Sequence, residues 1–390
     1  MDTVRAGLAG AGYAAHLHCE AYKRVSGVNV RLKTIVDIDI EKAEEIRKKY
    51  NFENAVKSFD ELLKDDEIDL IDIVTPPYLH KDMIIRAVNA GKHVICEKPL
   101  TGYFGKAGDS EPIGLMVSKE KMFNDVIREL DEIKDAVKKS GKHFMYAENF
   151  VYAPNVQKTA EIIRSKKSRI LFMKGEESLR GSSSPLAGRW DKTGGGSFIR
   201  VGCHPLSGIL WLKQEEAKAR NTEIKIKSVS ADMGCVSKNL SDLEKKHLTL
   251  APVDVEDIAA VTVTFSDESK ALIIAADNCL GGTRNYIDVY CNNGSMLCNI
   301  TPTDILQTYF LDEEGMDDVY ISEMLPSKLG WNKVFIVDEV LRGYTSELQD
   351  FMECASMDRE PLSSIDLAYD AIKTIYAAYW SAEEGRRINF

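Results

Sequence analysis

The stretch "VRAGLAGAGYAAHLHCEAY", from Val4 to Tyr22, decides the fold of the first half of the chain. It has the pattern of a short buried strand, a tight turn and a helix, with Gly10, Gly12 and Ala15 in the GxGxxA form. The first glycine permits the turn, the second lets the backbone approach a pyrophosphate, and the alanine allows close helix packing. The stretch therefore predicts a dinucleotide-binding turn with the phosphates at a helix N-terminus.

A second apolar strand, "LKTIV", ends at Asp37, about 25 residues after the glycines. In a dinucleotide-binding fold this position carries an acid that accepts hydrogen bonds from the adenosine ribose hydroxyls. Because Ile38 follows and no arginine or serine lies nearby, the sequence favours NAD over NADP. The structural alternative is an aspartate that caps a helix or forms a turn.

Two further strands extend the pattern and end in polar or proline-containing segments. "IDLIDIVTPPYLH" ends in a proline pair and His80, and "HVICEKPL" places Lys98 at the carboxyl edge of the predicted sheet. The nicotinamide end of a dinucleotide lies at that edge, where a lysine can hold or donate a proton during hydride transfer. His80 also fits a purely structural role at the start of a helix. These elements predict a doubly wound parallel sheet in a first domain of residues 1–148.

The segment "GGGSFIRVGCHPLSGILWL", from Gly194 to Leu212, opens an apolar helix with three glycines. Arg200 and His204 are four residues apart, so the two side chains are expected on one helix face. His204 is either a proton-transfer group or a buried core histidine. Arg200 is either a substrate contact or a salt-bridge partner of an acid such as Glu148 or Glu177.

Length and composition limit the class of protein. At 390 residues the chain is expected to have two domains, the second over residues 149–390 with longer β-strands. A net charge of -11 disfavours nucleic acid and anionic membrane surfaces as partners. The cysteines are scattered without a CxxC pair, which predicts free thiols and a cytoplasmic protein. No signal peptide and no membrane-spanning apolar run are expected.

In order and spacing, these motifs resemble the glucose-fructose oxidoreductase, inositol dehydrogenase and MocA family. The resemblance rests on the glycine turn, Asp37, "TPPYLH", "EKP" at 97–99, and the glycine-rich helix bearing a histidine. It implies an α/β protein: an N-terminal Rossmann domain with a doubly wound parallel sheet, then an α+β domain on a large, mostly antiparallel open sheet. It also implies NAD(P)-linked chemistry on a secondary hydroxyl of a sugar or cyclitol. We further expect a homodimer or homotetramer through the C-terminal sheet, and a last helix, 365–385, that packs back on the first domain.

The resemblance also assigns candidate site residues. The lysine and histidine that flank the reacting carbon in the family correspond to Lys98 and His204. Many members have an aspartate four residues before the histidine, where this chain has Arg200. From the residues themselves, the expected substrate contacts are Arg200, Tyr152, Arg189 and Trp190, with packing beneath the loop as the alternative for Trp190. The expected cofactor contacts are Gly10, Gly12, Tyr13, Ala14, Ala15, Asp37, Thr75, Pro76, Leu79, His80, Glu97, Lys98 and Asn149. No metal site is predicted.

The sequence thus predicts an NAD-dependent oxidoreductase acting on a ring hydroxyl of a sugar, glycoside or cyclitol. One alternative is a redox-neutral glycosidase or lyase that retains NAD and oxidises the ring transiently. The other is a nucleotide-binding regulator without chemistry. Residues 101–117 form an insertion between Lys98 and the next helix, which Ser118 is expected to cap. The insertion is expected to be a lid, an oligomer contact or a surface loop.

Overall fold

The computed structural model describes residues 3–301, 306–317, 319, 327–334 and 338–390. The strands of the first part are β1 Thr3–Ala9, β2 Asn29–Val36, β3 Asn54–Val56, β4 Leu70–Ile73, β5 His93–Glu97 and β6 Phe144–Ala147. Its helices are α1 Tyr13–Tyr22, α2 Ile40–Tyr50, α3 Phe59–Lys64, α4 His80–Asn89, α5 Ile113–Met116 and α6 Lys119–Ser140.

The second part continues the numbering. Its helices are α7 Asn149–Tyr152, α8 Pro154–Lys166, α9 Trp190–Thr193, α10 Cys203–Arg220, α11 Asp242–Lys245, α12 Asp338–Leu341, α13 Tyr344–Met357 and α14 Ile365–Glu384. Its strands are β7 Ile170–Ser178, β8 Ile226–Gly234, β9 Ile258–Phe265, β10 Lys270–Ala276, β11 Arg284–Cys291, β12 Gly294–Asn299, β13 Leu306–Phe310, β14 Gly330–Val334 and β15 Ile388–Asn389. A π-helical turn, Phe198–Gly202, precedes α10.

The first sheet has six parallel strands in the order β3-β2-β1-β4-β5-β6. Every residue of β4 and β6 is buried, as expected where helices cover both faces of a parallel sheet. The strand order reverses between β1 and β4, and dinucleotides bind at the carboxyl ends beside such a switch point. The predicted doubly wound sheet is confirmed.

The second sheet has seven strands in the order β12-β11-β7-β10-β9-β8-β15. Only β7 and β10 run parallel, so the prediction of a mostly antiparallel sheet is confirmed. One face packs on α10 through two glycines. A Cβ on Gly175 would lie 2.8 Å from the Cβ of Pro205, and one on Gly208 would lie 2.6 Å from Cδ1 of Ile287. At Gly175 an added side chain would collide with the rigid proline ring, whereas at Gly208 the end of the Ile287 side chain would have to move.

Helix α14 packs against α6 of the first part and against β8 of the second. The hydroxyl of Tyr376 accepts a hydrogen bond from the Tyr103 N–H (2.5 Å) and donates one to the Gly194 carbonyl (2.6 Å). This side chain joins the insertion to the first glycine of the triplet. The division into domains at residue 148 stays a prediction.

The insertion 101–117 is fixed to the second part of the chain by Asp254. The carboxylate of Asp254 accepts hydrogen bonds from the N–H groups of Gly114 (2.9 Å) and Trp190 (2.8 Å). Ser118 caps α6 as predicted, because its hydroxyl accepts a hydrogen bond from the Lys121 N–H (3.3 Å). These contacts fix the start of α5 and the start of α6. The role of the insertion stays open.

Two simpler expectations concern thiols and membranes. The eight cysteines are all free thiols, and five of them are buried. Within the described ranges, no helix combines the length and the apolar character needed to cross a membrane.

Candidate active site

The turn between β1 and α1 has the geometry of a phosphate-binding turn. Gly10 has a φ of +106°, and a Cβ there would lie 2.9 Å from the Val74 carbonyl oxygen, so a larger residue would be strained. Gly12 is the N-cap of α1, and apart from its chain neighbours and the backbone of α1, no atom of the described residues lies within 4 Å of where its Cβ would be. This open space adjoins the N–H groups of the first turn of α1, where a pyrophosphate binds. The residues present fit a dinucleotide.

Asp37 lies beside this turn at the end of β2. Its Oδ2 accepts a hydrogen bond from the Ala11 N–H (2.8 Å), and its Oδ1 accepts one from the Asp39 N–H (2.9 Å). The carboxylate is therefore fixed at the rim of the glycine turn. Tyr13 is exposed at the same rim, whereas Ala15 is fully buried and lets α1 approach the sheet. Their contacts with a cofactor, like those of Ala14, stay predictions.

The loop after β4 carries several of the expected cofactor contacts. Thr75 is half-buried, and Pro76 and Leu79 are exposed at the carboxyl edge of the sheet. His80 is buried instead, with Nε2 2.8 Å from the Thr75 carbonyl and Nδ1 3.0 Å from the Pro99 carbonyl. Burial lowers the pKa of His80. The ring bridges the loops after β4 and β5, where a neutral imidazole donates its one N–H to one of the two carbonyls. Its contact with a cofactor stays a prediction.

Lys98 follows β5 and reaches toward α10. Its Nζ donates a hydrogen bond to the Arg200 carbonyl oxygen, 2.9 Å away, within the π-helical turn. Burial alone would lower the pKa of Lys98, but Cys203 and three nearby carboxyl groups, Glu97 among them, raise it. Lys98 is therefore an ammonium ion. Since an ammonium has three N–H donors, it keeps donors for a bound oxygen.

A buried charged cluster adjoins Lys98 through Glu97. His18 of α1 contacts Asp72 Oδ2 of β4 through Nδ1 (2.8 Å) and Glu97 Oε1 through Nε2 (3.2 Å). Glu97 Oε2 accepts a hydrogen bond from the Lys98 N–H (2.9 Å). Burial alone would lower the pKa of His18, but the two carboxylates raise it well above its ordinary value. The imidazolium ties α1, β4 and β5 together at the base of the lysine-bearing loop.

His204 lies in the first turn of α10 and is 5% exposed. Its Nδ1 is 2.6 Å from Oε1 of Glu148, which is buried at the end of β6. The imidazole ring stacks on Phe150, with 5.1 Å between the ring centroids and a tilt of 20°. Burial raises the pKa of Glu148 to about 8, and burial together with the Lys98 ammonium lowers the pKa of His204 to about 3. Neutral imidazole is therefore the resting form.

The same two residues form a possible ligand set with Cys203. The three ligand atoms lie within 4.8 Å of one another. At 2.6 Å, however, His204 Nδ1 and Glu148 Oε1 are closer than two ligands of one zinc ion, which lie roughly 3 Å or more apart at ordinary bond lengths. The contact is a hydrogen bond.

Arg200 is an ion-pair residue with a partner that the sequence did not suggest. Its guanidinium binds the carboxylate of Asp277, which follows β10. Arg200 is 17% exposed and Asp277 is 5% exposed, so most of the pair is removed from water. Arg200 forms a salt bridge, as one of the two alternatives predicted, but its partner is Asp277 and not Glu148 or Glu177.

Two of the expected substrate contacts, Tyr152 and Trp190, are buried against other side chains, and their role at a substrate stays a prediction. Tyr152 is 1% exposed, and its hydroxyl donates a hydrogen bond to Asp350 Oδ2 (2.8 Å) in the core. Trp190 is 2% exposed and packs against Tyr379, with 4.8 Å between the ring centroids. Neither aromatic ring has a free face for a sugar.

Two other expected contacts have local partners. Arg189 is exposed and forms a two-point ion pair with Asp191 (2.9 and 3.0 Å). Asn149 is buried, and its Nδ2 donates a hydrogen bond to the Arg342 carbonyl (2.9 Å). The roles expected for Arg189 at the substrate and Asn149 at the cofactor stay predictions.

A buried polar pair, Glu177 and Asn285, was not predicted as part of the site. The two residues face each other across β7 and β11 on the side that packs on α10. Glu177 lies two residues beyond Gly175, which contacts Pro205, the residue after His204. Glu177 Oε2 and both polar side-chain atoms of Asn285 have no hydrogen-bond partner in the described part of the chain. Because side chains alternate between the two faces of a strand, the sequence could have placed Glu177 on the same face of β7 as Gly175.

Comparisons with known proteins agree with this geometry. Residues 4–110 match the model of the Gfo/Idh/MocA oxidoreductase family, NAD-binding Rossmann fold, and residues 163–297 match a C-terminal domain model of that family. The chain belongs to the Gfo/Idh/MocA family. Its first part is an NAD-binding Rossmann domain, and the family resemblance is confirmed.

Relatives and solved structures span nearly the whole chain. A levoglucosan dehydrogenase from Pseudarthrobacter phenanthrenivorans is 27% identical over 353 residues, 84% of this chain and 82% of the relative. A myo-inositol 2-dehydrogenase from Thermotoga maritima is 23% identical over 388 residues, 99% of this chain and 98% of the relative. The structure of GenD2 from gentamicin A biosynthesis, in complex with NAD, has a TM-score of 0.79 at 19% identity, covering 100% of this chain and 97% of that one. At that identity the last similarity shows the fold alone.

Proposed function

We propose that the protein is an NAD-dependent dehydrogenase of a secondary ring hydroxyl on a sugar, glycoside or cyclitol. One observation carries the proposal: Lys98, at the carboxyl edge of the NAD-binding sheet, is hydrogen-bonded to the turn that leads into His204. A proton donor and a proton acceptor are thereby brought to one place. The levoglucosan and myo-inositol dehydrogenases among the relatives support the substrate class.

In the proposed reaction both side chains act on the substrate hydroxyl. Lys98 donates a hydrogen bond to the hydroxyl oxygen and stabilises the negative charge that develops as the proton leaves. His204 accepts that proton at Nε2, because Nδ1 is bonded to Glu148. When bound, NAD supplies the acceptor for the hydride from the same carbon. Gly10, Gly12 and Asp37 are the residues that would hold it.

The preference for NAD over NADP is proposed from Asp37. The backbone N–H groups of Ala11 and Asp39 keep its carboxylate at the rim of the glycine turn. A carboxylate there accepts hydrogen bonds from ribose hydroxyls and repels a 2′-phosphate. Ile38, which follows, is largely exposed and offers no positive charge to offset that repulsion.

An uncharged substrate is favoured by the groups around His204. Glu177 places a carboxyl group near His204 and Lys98, and Asn285 adds an amide with both donors and an acceptor unused in the described structure. Each sugar hydroxyl both donates and accepts, so this set matches a polyol. A sugar acid or phosphate would instead meet the Glu177 carboxyl group, while the charge of Arg200 is taken up by Asp277.

The proposal is tested by screening the purified protein, with NAD added, for NADH formation on neutral sugars and cyclitols, including levoglucosan and myo-inositol. Net NADH formation separates a dehydrogenase from a redox-neutral enzyme that retains its cofactor. Lys98→Ala is the matched negative control: it should bind NAD as the wild type does and lose about 10²-fold or more in turnover. NAD binding without NADH formation on any alcohol would refute the proposal.

Assembly through the C-terminal sheet also stays a proposal. The face of this sheet turned away from α10 has a cavity of about 1000 Å³, lined by β7, β11 and β14 residues that include Lys174, Arg284 and Trp331. Light scattering of the wild type and of Trp331→Glu tests whether this face joins copies of the chain. A monomeric wild type would exclude the expected dimer or tetramer.

A further inference from the structure

Glu148 occupies a position between the two parts of the chain. It follows β6, the last strand of the first sheet, and its side chain accepts a hydrogen bond from the Phe150 N–H (3.4 Å) at the start of α7. Oε1 of the same carboxyl group contacts His204 Nδ1 at 2.6 Å. The second oxygen, Oε2, is buried without a partner in the described structure. One carboxyl group thus connects the first sheet with the helix that carries His204.

The short contact requires a proton between the two residues. Two lone pairs at 2.6 Å would repel each other, so either Nδ1–H donates to Oε1 or the acid O–H donates to Nδ1. In the first arrangement Nε2 has a lone pair and is a base. In the second arrangement Nε2 has a proton and is an acid. No hydrogen bond to Nε2 is formed by the described residues, so this nitrogen is left for a ligand.

We propose that Glu148 is the positioning residue of His204, which fixes the imidazole tautomer and takes up the Nδ1 proton when Nε2 receives the hydroxyl proton. This inference rests on the proposed function. The chain has no acid on the helical turn before His204, and Glu148 supplies one from a different element. The stacking of Phe150 on the imidazole fixes the ring plane, so the hydrogen bond determines which nitrogen faces the substrate.

In this step, protons move only between the substrate hydroxyl, His204 and Glu148. The substrate O–H bond breaks and an Nε2–H bond forms, while the Nδ1–H bond breaks and an Oε1–H bond forms. The imidazole is neutral before and after the step, and the carboxylate becomes a carboxylic acid. The C–H hydrogen leaves with its electron pair to bound NAD, so the carbonyl product forms with one proton stored on Glu148.

Buried surroundings favour this route over an imidazolium ion. The charged and titratable groups facing the pair come from several elements: Lys98, Glu97, Tyr146, Glu177, Cys203, Arg342 and Glu347. Burial is the largest influence on both partners, and it disfavours an ion pair. Lys98 and Arg342 also disfavour a second positive charge on His204. When Glu148 holds the proton as a neutral carboxylic acid, neither a buried ion pair nor an additional positive charge beside Lys98 and Arg342 is formed.

The pair is therefore expected to titrate as one unit through Glu148. Because burial raises the pKa of Glu148 to about 8, oxidation should accelerate as the pH rises through that region. Below it, the pair already holds its proton and Nε2 cannot act as a base. Glu148→Gln keeps a hydrogen-bonding side chain but removes the titratable proton.

The first test compares kcat and KM against pH for the wild type, Glu148→Gln and Glu148→Asp. We expect Glu148→Gln to lose the acid limb and about 10²-fold in kcat, with KM and NAD affinity nearly unchanged. Glu148→Asp should retain the acid limb and part of the rate. Glu176→Gln, the same substitution on the opposite face of β7 and paired with Arg284, is the control that should leave the profile unchanged.

The second test needs no turnover. Infrared difference spectra between acidic and alkaline pH should contain a buried carboxylic acid contribution that is lost near pH 8 in the wild type and is missing in Glu148→Gln. Glu256, whose pKa burial raises to about 7, contributes to both spectra, so the wild-type minus variant difference isolates Glu148. An unchanged acid limb in Glu148→Gln, or identical difference spectra of that variant and the wild type, would overturn the inference and leave the proposed function standing. A wild type with the Glu148 contribution but without NADH formation would overturn the proposed function alone.

Discussion

The ion pair between Arg200 and Asp277 allows a quantitative prediction for Arg200→Met. Methionine keeps the aliphatic volume but leaves the Asp277 carboxylate nearly buried without its cation, and its Oδ1 already has no partner in the described structure. Removing one partner of a fully buried pair costs about 3–5 kcal/mol. Since the arginine is 17% exposed, water partly replaces it, and we expect a loss of about 2–4 kcal/mol.

The sign of the pH dependence follows from Asp277. Burial raises its pKa and Arg200 lowers it, so removal of Arg200 raises it further. A carboxyl group with a raised pKa in the folded state destabilises the protein as the pH rises above its unfolded value. The penalty in Arg200→Met should therefore be larger near pH 8 than near pH 5. Denaturant unfolding with saturating NAD at both pH values measures it.

The double variant Arg200→Met, Asp277→Asn is the control, because it removes the unpaired charge and should recover at least half of the lost stability. The acid limb of the pH-rate profile should stay in place in Arg200→Met, since Lys98 binds the backbone carbonyl of residue 200 and Glu148 binds His204. A loss below about 0.5 kcal/mol would mean that the pair is solvated like a surface salt bridge. A shifted acid limb would mean that the guanidinium acts on His204.

Three other predictions test the cofactor turn, the polar pair and the buried cluster. Asp37→Ser should shift the ratio of kcat/KM values toward NADP, and a wild type that already prefers NADP would contradict the assignment. Glu177→Gln should raise KM for a neutral polyol about 10-fold, the loss of one charged hydrogen bond, while Glu176→Gln should not. His18→Gln should destabilise the protein most at mildly acidic pH. The imidazolium is stabilising below about pH 6.5, and this contribution is lost as the pH rises through the raised pKa of His18, so a pH-independent difference in Tm would refute this role.

The Rossmann half was predictable because its signals are local. Strand, glycine turn and helix are adjacent along the chain, and the acid at Asp37 ends the next strand. Lys98 could be placed for the same reason, since carboxyl ends of parallel strands share one edge. His204 required the resemblance to a family, because an apolar helix with one histidine is by itself typical of a core.

The partners of these residues were not predictable, because they are far apart in sequence. Glu148 is 56 residues from His204, and Asp277 is 77 residues from Arg200. For Trp190 the sequence left packing beneath the loop and ligand contact open, and its packing partner Tyr379 comes from α14, at the other end of the chain. Burial of such a residue depends on tertiary packing, which neither composition nor periodicity reveals.

Arg200 and His204, four residues apart, have different acidic partners: Asp277 binds Arg200, and Glu148 binds His204. An aspartate at position 200 would stand beside Asp277 and turn a buried pair into two buried acids. It would also add nothing to His204, because Glu148 already occupies Nδ1. Arg200→Asp alone therefore does not reproduce the arrangement of relatives with an aspartate before the histidine. Because Arg200 pairs with Asp277 and Glu148 supplies the acid for His204, replacing Arg200 by an acid requires Asp277 to change with it, whereas Glu148 can stay.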